Sequence, residues 1–429
     1  MKLSNYNREL IFSDKQHAIY NTLSSKYILY SPSQREFLDS LLNKLNKDVY
    51  EIEEGEALKK FIENGMIVHD DIDELEKVSY LMNKTKYQDR IFFLVIVPTL
   101  NCNFRCSYCY EERKDLRMND QIIENIVDYV RKVSKKIKML HIAWFGGEPM
   151  LEYETIKKLT KRFQEICDNE GCNYNAKMTS NGYLFTEERI NELEDLGIKS
   201  IQITLDGEKE YHNKSRPLKD GSGTFDKILD NINKIAEKNI QISLRINLDK
   251  ENKDSIPMLL ERIPEEKRKN IEVSISNVFQ NKKKENQFAL YKTAIDKGYR
   301  FSQTKNSYSI CQASFTNSFT VQPDGKITSC QMASEKGLHF GTIEKNGELN
   351  ITNGSSFTKS KYLTALSNEK CRECYLLPKC IGGCHLGQYE NNSVCITKKR
   401  FDGMNFEDLA RLHIYHDLAN DLVKEANVL

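Results

Sequence analysis

The chain has 429 residues, of which 39% are apolar, and its 63 basic and 62 acidic residues leave a formal charge of +1. This length predicts two or three domains with substantial cores, and the balanced charge gives no reason to expect nucleic acid or an anionic membrane as a partner. The sequence contains no run of eighteen apolar residues, so no membrane span is predicted. The opening MKLSNYNREL lacks the apolar segment of a signal peptide. We therefore expect a cytoplasmic protein.

The segment 1–90 begins with three short apolar runs, ELIF, AIY and KYILY, which predict strands. Two helices are predicted next. One covers SPSQREFLDSLLNKL, with Pro32 near its start, and the other covers EALKKFIENG and ends at Gly65 before a strand at MIV. A small sheet followed by helices resembles a winged helix.

The segment 91–300 alternates between strand and helix patterns. Six apolar runs predict strands: FFLVIV, LHIAWF, AKMTS, IQITL, ISLRINL and IEVSI. The helix patterns between them include one from Glu187 to Leu196, with Thr186 as its cap and Gly197 as its stop. Repeated βα units predict an α/β fold with a parallel sheet, and six of them suit a partial (β/α)6 TIM-like barrel whose chemistry lies at the C-terminal strand ends.

The segment 301–429 is richer in loops, glycine and cysteine, and its last helix is predicted from Phe406 to Ala426. The lysine run Lys282–Lys284 precedes it and is interpreted as a solvated linker. We therefore expect three domains: 1–90, 91–300 and 301–429.

Twelve cysteines in a reducing compartment indicate metal or cluster ligands rather than disulfides. Cys102, Cys106 and Cys109 form a first group directly after the first barrel strand. Three thiolates suit zinc or iron–sulfur, but a structural zinc needs a fourth ligand and no nearby His or Cys supplies one. A four-iron cluster on three thiolates keeps one iron open for a cofactor. Cys167 and Cys172 stand apart and are interpreted as small buried side chains.

The spacing C-x₃-C-x₂-C, with an aromatic Tyr108 before the last cysteine, resembles the radical S-adenosylmethionine (SAM) superfamily. The resemblance implies a [4Fe–4S] cluster whose open iron binds the amino and carboxylate groups of SAM. It also implies a 5′-deoxyadenosyl radical that abstracts hydrogen, and an electron donor such as ferredoxin or flavodoxin. FGGEP, TSNG and TLDG, at the ends of strands two, three and four, agree with this resemblance.

By the same resemblance, the glycines of FGGEP and Glu148 contact the SAM amino group, while Thr204 and Arg216 contact its carboxylate. Arg245 and Val278 are further candidates, although a barrel ion pair and core packing explain these two equally well. The predicted cofactor-binding residues are Tyr108, Gly146, Gly147, Glu148, Ser180, Asn181, Thr204, Arg216, Arg245 and Val278.

The second cysteine group reads C-x₁₃-G-x₄-C, then C-x₂-C-x₅-C-x₃-C, then a last cysteine. A pair of zinc ribbons is one interpretation, but the pattern resembles the SPASM extension, which holds two auxiliary [4Fe–4S] clusters. The resemblance assigns Cys371, Cys374, Cys380 and Cys395 to the outer cluster, and Cys311, Cys330 and Cys384 to the inner one. Fully ligated members have eight cysteines here and this chain has seven. The inner cluster is therefore predicted to have an open iron, unless a non-cysteine ligand fills it.

Enzymes that mature sulfatases by forming formylglycine resemble this chain in both cysteine groups. They have an aspartate directly after the second SPASM cysteine, and this aspartate acts as a base. That position here is Gln331, which cannot accept a proton usefully. Asp206 or Asp324 is the alternative base, and Asp206 is our candidate catalytic residue. Both lie in Asp-Gly pairs, which turn formation explains equally well.

Enzymes that modify ribosomally made peptides often have a winged-helix element that captures a leader peptide by adding a strand to a sheet edge. DNA binding by the segment 1–90 is disfavoured, because it has 13 basic and 16 acidic residues. A packing domain without a ligand is the plain alternative.

The sequence therefore predicts a radical SAM/SPASM enzyme that acts on a precursor peptide with a leader segment. The favoured reaction is a thioether crosslink between a cysteine sulfur and a carbon, an oxidoreductase-type reaction. Carbon–carbon crosslinking and sulfatase maturation are the enzymatic alternatives. A cluster-carrying peptide-binding protein without catalysis is the alternative from another class.

Overall fold

The computed structural model describes residues 1–45, 52–281, 283–301, 311–390 and 403–420. It divides into two compact units. The first comprises the described residues of Met1–Thr85, Phe301–Ile310 and Thr364–Leu429, and the second comprises those of Lys86–Arg300 and Cys311–Leu363. Part of the cysteine-rich C-terminal region therefore folds with the predicted barrel, and the rest folds with the N-terminal region.

The N-terminal part of the first unit contains two small antiparallel sheets, in which β1 pairs with β5 and β3 lies between β2 and β4. Its elements are β1 (Lys2–Leu3), β2 (Asn7–Ser13), β3 (Gln16–Asn21), β4 (Tyr27–Tyr30), α1 (Arg35–Asn43), α2 (Ile52–Glu63), β5 (Ile67–Val68) and α3 (Glu74–Lys86). The predicted strands and helices are thus present. Pro32 begins a 3-10 turn that leads into α1.

The second unit consists of alternating strands and helices followed by a small antiparallel extension. Its first elements are β6 (Ile91–Ile96), α4 (Asp120–Ser134), β7 (Met139–Trp144), α5 (Tyr153–Glu170), β8 (Asn173–Ser180), α6 (Glu187–Glu192), β9 (Ile198–Thr204), α7 (Lys209–Ser215), α8 (Phe225–Ile235), β10 (Gln241–Leu248), α9 (Ile256–Glu261), α10 (Glu265–Arg268), β11 (Ile271–Asn277) and α11 (Phe288–Asp296). Its later elements are β12 (Ser318–Val321), β13 (Lys326–Thr328), α12 (Gln331–Glu335), β14 (Gly341–Ile343), β15 (Leu349–Ile351) and α13 (Gly354–Tyr362).

The sheet of the second unit confirms the predicted α/β barrel sheet. Six parallel strands run in chain order from β6 to β11, β12 adds to β6 in parallel, and β13 to β15 continue antiparallel. Leu94, Ile142 and Leu244 are fully buried on β6, β7 and β10, and their neighbours in each strand are less buried or polar. This alternation places an apolar face on one side of the sheet and leaves the other side free for function.

In the described part of the chain, four further helices belong to the first unit. They are α14 (Glu369–Arg372), α15 (Leu377–Cys380), α16 (His385–Glu390) and α17 (Phe406–Ala419). One core joins Leu10, Tyr20 and Leu29 to Phe406 and Ile414. The association of residues from both ends of the chain in one core is a long-range feature that local sequence patterns do not reveal.

Two predicted helix ends differ from the structure. Helix α6 begins after the predicted Thr186 cap, whose Oγ1 accepts from the Arg189 N–H, but it ends at Glu192 rather than Leu196. The chain then turns through Gly197, whose φ is 64°. Helix α17 begins as predicted and ends at Ala419, and residues 421–429 lie outside the described part. Lys282 of the predicted linker also lies outside it. Among the described helices, none is both long and apolar enough to cross a membrane.

Candidate active site

The first cysteine group lies in the loop that follows β6, at the C-terminal end of the parallel strands. A turn closes its end, since the Cys109 N–H donates to the Cys106 carbonyl at 3.4 Å. The Phe104 N–H donates to the Cys102 sulfur at 3.4 Å. Two backbone hydrogen bonds fix the loop against the end of α7. The Ser107 N–H donates to the Ser215 carbonyl at 3.0 Å, and the Arg105 N–H donates to the Pro217 carbonyl at 2.8 Å.

The three thiols suit a cationic centre. Burial raises the pKa of Cys102 to about 12, and the charges of Glu148, Cys106 and Cys109 add to the effect. Burial likewise raises the pKa of Cys106. Nearby thiolates repel one another, and bound iron would offset the free-energy cost of deprotonating these cysteines. Among the described residues, no group of three or more His, Cys, Asp or Glu side chains is already arranged to hold a metal ion. In donor chemistry the residues fit an iron–sulfur cluster.

Two glycines after β7 bring the FGGEP segment against the loop that leads to Cys102. A Cβ atom at Gly146, where φ is 125°, would collide with the Thr99 carbonyl oxygen. A Cβ atom at Gly147 would collide with the carbonyl oxygen of Asn101. The Glu148 N–H then donates to that Asn101 oxygen at 2.9 Å. The close approach of the two segments therefore requires glycine at both positions.

The Glu148 carboxylate is buried at the end of the second parallel strand and fixed from three sides. Its Oε1 accepts from the Ser180 hydroxyl at 2.8 Å and from the Met150 N–H at 3.0 Å, and its Oε2 accepts from the Asn181 N–H at 2.7 Å. Burial raises the pKa of this carboxyl, while the three donors oppose the rise. A fixed, desolvated acceptor of this kind suits an ammonium group. The structure thus brings together Glu148, Ser180 and Asn181, three of the predicted SAM-binding residues, and their contact with SAM stays a prediction.

A second buried group joins Tyr108 to the ends of β9 and β10. The Tyr108 hydroxyl donates to Asp206 and accepts from Arg216 Nη1 at 2.6 Å and from Asn247 Nδ2 at 3.1 Å. Asp206 is fully buried and also accepts from the Asn247 N–H at 2.7 Å. Arg216 lies 3.9 Å from this carboxylate. The group therefore buries a cation and an anion together, which limits the cost of desolvating each.

Arg216 keeps one donor free in this buried group. Its Nε has no partner among the described residues, although the side chain is almost fully buried. Burial opposes the charge, but Cys106, Tyr108 and Asp206 hold its pKa above the ordinary value. An unpaired buried N–H costs free energy, so a ligand carboxylate at this donor would be stabilised.

The two aspartates considered as bases occupy different surroundings. Asp324 has the turn role that its Asp-Gly pair predicts, because its carboxylate accepts from the Lys326 N–H at 3.2 Å and pairs with the Lys326 ammonium at 2.7 Å. Asp206 does more than close a turn. Burial raises the pKa of its carboxyl, and Arg216 opposes that rise. The assignment of Asp206 as a base stays a prediction.

Three other predicted SAM residues lie at the same strand ends. Thr204 pairs with Arg245 across β9 and β10, and Arg245 donates to Asn247 Oδ1 at 3.2 Å. Val278 is buried just after β11. Sequence reasoning missed Asn247, although it lies two residues after Arg245 on the same side of a predicted strand. It also missed Asn252, whose side chain donates to the Asp206 carbonyl at 2.6 Å.

The cysteines of the second group belong to different units. Cys311 and Cys330 are in the second unit. In the first unit, Cys371 and Cys374 share a turn closed by a 3.1 Å backbone bond, and Cys380 ends α15. Cys384 follows and is exposed. Cys395, predicted for the outer cluster, lies outside the described residues. The ligand sets assigned by resemblance therefore stay predictions.

Gln331 begins helix α12 directly after Cys330 and is held on both sides. Its Oε1 accepts from Gln322 Nε2 at 2.9 Å, and its Nε2 donates to Glu335 at 3.0 Å. The other oxygen of Glu335 accepts from the Glu112 N–H at 3.0 Å. Gln331 therefore connects Gln322, just after β12, to Glu335, which contacts the loop after Cys109. The amide of Gln331 cannot itself act as a base.

Comparison with known proteins gives two domain matches. Residues 96–263 match the radical SAM superfamily. Residues 311–375 match SPASM, an iron-sulfur cluster-binding domain.

Individual relatives extend these matches. The chain is 22% identical over 427 residues to the radical SAM cyclopropyl synthase TigE of Paramaledivibacter caminithermalis, covering 87% of this chain and 84% of TigE. It is 22% identical to a cysteine-type anaerobic sulfatase-maturating enzyme of Clostridium novyi, covering 74% and 95%. Other relatives, 27% and 32% identical, match over 46% and 52% of their own length, so the chain spans about half of those proteins.

Solved structures share the fold. Streptococcus suis SuiB bound to its precursor peptide SuiA superposes with a TM-score of 0.52 and 16% identity, covering 91% of this chain and 97% of SuiB. The anSMEcpe structure with bound AdoMet gives a TM-score of 0.58 and 17% identity, covering 79% and 97%.

The hydroxyl of Tyr108 links the buried groups of the site, so its removal tests their interdependence. Tyr108→Phe leaves Arg216 and Asp206 with fewer partners, and we expect it to lower the free energy of unfolding by about 1–3 kcal/mol. Urea unfolding of the metal-free protein, followed by circular dichroism, measures the change. Tyr183→Phe is the matched control, because the structure shows no hydrogen bond of the Tyr183 hydroxyl to a described residue. Equal stabilities of the two variants would contradict the network.

Proposed function

Because the chain is a radical SAM protein with a SPASM domain, we propose that it modifies a ribosomally made peptide by joining a cysteine sulfur to a carbon of another residue. Gln331 is the observation that favours this reaction over sulfatase maturation. Sulfatase maturases, which the chain resembles, have an aspartate base at that position, whereas Gln331 is fixed between Gln322 and Glu335 and accepts no proton. The seven SPASM cysteines, one fewer than full ligation requires, favour a place for a substrate thiolate.

The radical SAM domain binds S-adenosylmethionine and a [4Fe–4S] cluster, and the SPASM domain binds auxiliary iron–sulfur clusters. Cys102, Cys106 and Cys109 would hold the first cluster. Such a cluster, when bound and reduced, would supply one electron for the cleavage of SAM to methionine and a 5′-deoxyadenosyl radical, and that radical would abstract hydrogen from the peptide. A protein such as ferredoxin or flavodoxin would supply that electron.

The protein's own residues would orient SAM from two sides. The Glu148 carboxylate, held by Ser180 and Asn181, would accept hydrogen bonds from the SAM amino group. The free Nε donor of Arg216 would bind the SAM carboxylate, with Thr204 at the neighbouring strand end. Because Asp206 and Tyr108 already fix the guanidinium, little side-chain entropy remains to be lost on binding.

The SPASM cysteines would divide between two auxiliary clusters. Cys371, Cys374, Cys380 and Cys395 would hold one cluster. Cys311, Cys330 and Cys384 would hold the other, whose remaining iron position would take the thiolate of a peptide cysteine. The 5′-deoxyadenosyl radical would take one carbon-bound hydrogen and the thiol would lose its proton. The electron released when the carbon radical joins the thiolate would pass to the oxidised auxiliary cluster, so each crosslink lowers the peptide mass by two hydrogens.

Carbon–carbon bond formation is the second candidate. The match to the cyclopropyl synthase TigE, which covers 87% of this chain, favours it. The match to a sulfatase-maturating enzyme covers 74%, but Gln331 speaks against the formylglycine reaction.

The β2–β3–β4 sheet of the first unit would bind the leader segment of the peptide. Strand β2 pairs with β3 on one side, and it alternates buried and exposed residues, with Ile11 59% exposed. No described strand pairs with the other edge of β2, where the Ile11 carbonyl accepts from Arg411 Nε at 2.8 Å. An edge without a paired strand can accept an additional strand through backbone hydrogen bonds. SuiB, whose fold the chain shares, was solved bound to its precursor peptide, which supports a peptide as the substrate.

Co-expression with a short cysteine-containing peptide encoded beside the gene tests the reaction. We expect the peptide to lose two hydrogens per crosslink, and tandem mass spectrometry to locate a bond from cysteine sulfur to carbon. Replacing the peptide cysteine by alanine should abolish the crosslink. A mass loss that survives this replacement would establish the carbon–carbon reaction instead, and an aldehyde on a sulfatase peptide would establish formylglycine formation.

Ile11→Glu tests leader binding at the β2 edge. Losing the burial of this side chain removes about 1.5–3 kcal/mol, so we expect binding of a fluorescein-labelled leader peptide to weaken about tenfold or more. Fluorescence anisotropy measures the affinity. Ile72→Glu, at a residue of the same unit that is 41% exposed, is the control. Equal affinities for both variants would place the leader elsewhere.

A further inference from the structure

Strand β2 has backbone groups that point away from its partner β3. The Asn21 N–H of β3 donates to the Lys26 carbonyl at 2.8 Å, on the β4 side, so the backbone of Asn21 is turned away from the facing residue Asn7. Residues of an antiparallel pair alternate between bonded and non-bonded positions. Two and four residues further along β2, Glu9 and Ile11 therefore direct their N–H and carbonyl groups to the outer edge.

Arg411 of helix α17 reaches this edge from the far end of the sequence. Its Nε donates to the Ile11 carbonyl at 2.8 Å, and its side chain is 32% exposed. A strand that adds to a sheet edge needs the outward carbonyl groups as acceptors for its own N–H groups. The Arg411 guanidinium therefore occupies an acceptor that an added strand would use.

Helix α17 is anchored to the sheet by contacts other than the Arg411 bond. The Nδ1 atom of His413 is hydrogen-bonded to the Tyr20 hydroxyl at 3.0 Å, and the Tyr27 hydroxyl donates to the Asp417 carboxylate at 3.2 Å. Both tyrosines are buried. Because these contacts hold the helix in place, the Arg411 side chain can leave the edge while the helix stays where it is.

Two carboxylates of the same helix offer the guanidinium another position. Glu407 and Asp408 each lie 3.9 Å from a terminal guanidinium nitrogen of Arg411. They precede Arg411 by four and three residues, the spacings at which side chains of a helix are neighbours. The charge of Arg411 can therefore remain paired after its bond to Ile11 is broken.

We infer that Arg411 guards the outer edge of β2, and that the leader segment of the precursor peptide displaces its side chain on binding. The inference rests on the proposed binding of the leader at this edge. An exposed edge pairs readily with other strands, and a charged side chain that covers it limits such pairing. Arg411 therefore lowers the affinity of the edge for any added strand, including the leader, since the bond to Ile11 must first be broken.

Leader affinity in an Arg411 variant tests the guard directly. The probe is the fluorescein-labelled leader segment of the short peptide encoded beside the gene, bound to the full chain and followed by fluorescence anisotropy. Because this leader then displaces no charged hydrogen bond, we expect Arg411→Met to bind it about tenfold more tightly than the wild-type chain. Lys15→Met, on the exposed turn between β2 and β3, removes the same charge and should leave the affinity unchanged.

Hydrogen exchange, measured by mass spectrometry, separates failure of the guard from failure of the leader site. We expect the bound leader to protect residues 7–13 of the wild-type chain. Protection there, with equal or weaker leader binding by Arg411→Met, would overturn the inference alone. Protection of a different segment would overturn the proposed leader site, and the guard with it. If circular dichroism shows that Arg411→Met is unfolded, Arg411→Gln takes its place with the same expected gain in affinity.

Discussion

The close approach of two backbone segments at the C-terminal end of the sheet positions the rest of the site. Gly146 and Gly147 permit the segment after β7 to contact the carbonyl groups that precede Cys102, where any Cβ atom would collide. That contact fixes the backbone of Glu148, and the Ser180 hydroxyl and the Asn181 N–H then fix its carboxylate. The cysteine loop and the Glu148 carboxylate are therefore placed by one steric constraint.

A second constraint is the balance of buried charge. Arg216 and Asp206 are both buried, and each depends on the other and on Tyr108, which also belongs to the cysteine loop. Because an uncompensated buried charge costs several kcal/mol, the loop and the ends of β9 and β10 are stabilised as one group. The Nε–H group of Arg216 has no partner among the described residues, and its orientation is already fixed.

Local patterns predicted the parallel sheet well. Alternating apolar residues gave all six strands, and the motifs FGGEP, TSNG and TLDG lie at their ends as expected. Contacts between residues far apart in sequence were not predictable in this way. Asn247 and Asn252 bind Asp206 from about 40 residues away, and Gln331 joins Gln322 to Glu335. The packing of Phe406 and Ile414 on the β2–β3–β4 sheet depends on tertiary contact alone.

The central claim is that three thiols at the end of the first parallel strand hold an open cluster that cleaves S-adenosylmethionine. Chromatography of 5′-deoxyadenosine, formed by the anaerobically purified and reduced protein, measures this directly. The account predicts deoxyadenosine from the wild-type protein and none from Cys106→Ser, while Cys172→Ala keeps the activity. A folded, iron-free protein with zinc on Cys102, Cys106 and Cys109, and no deoxyadenosine, would contradict it.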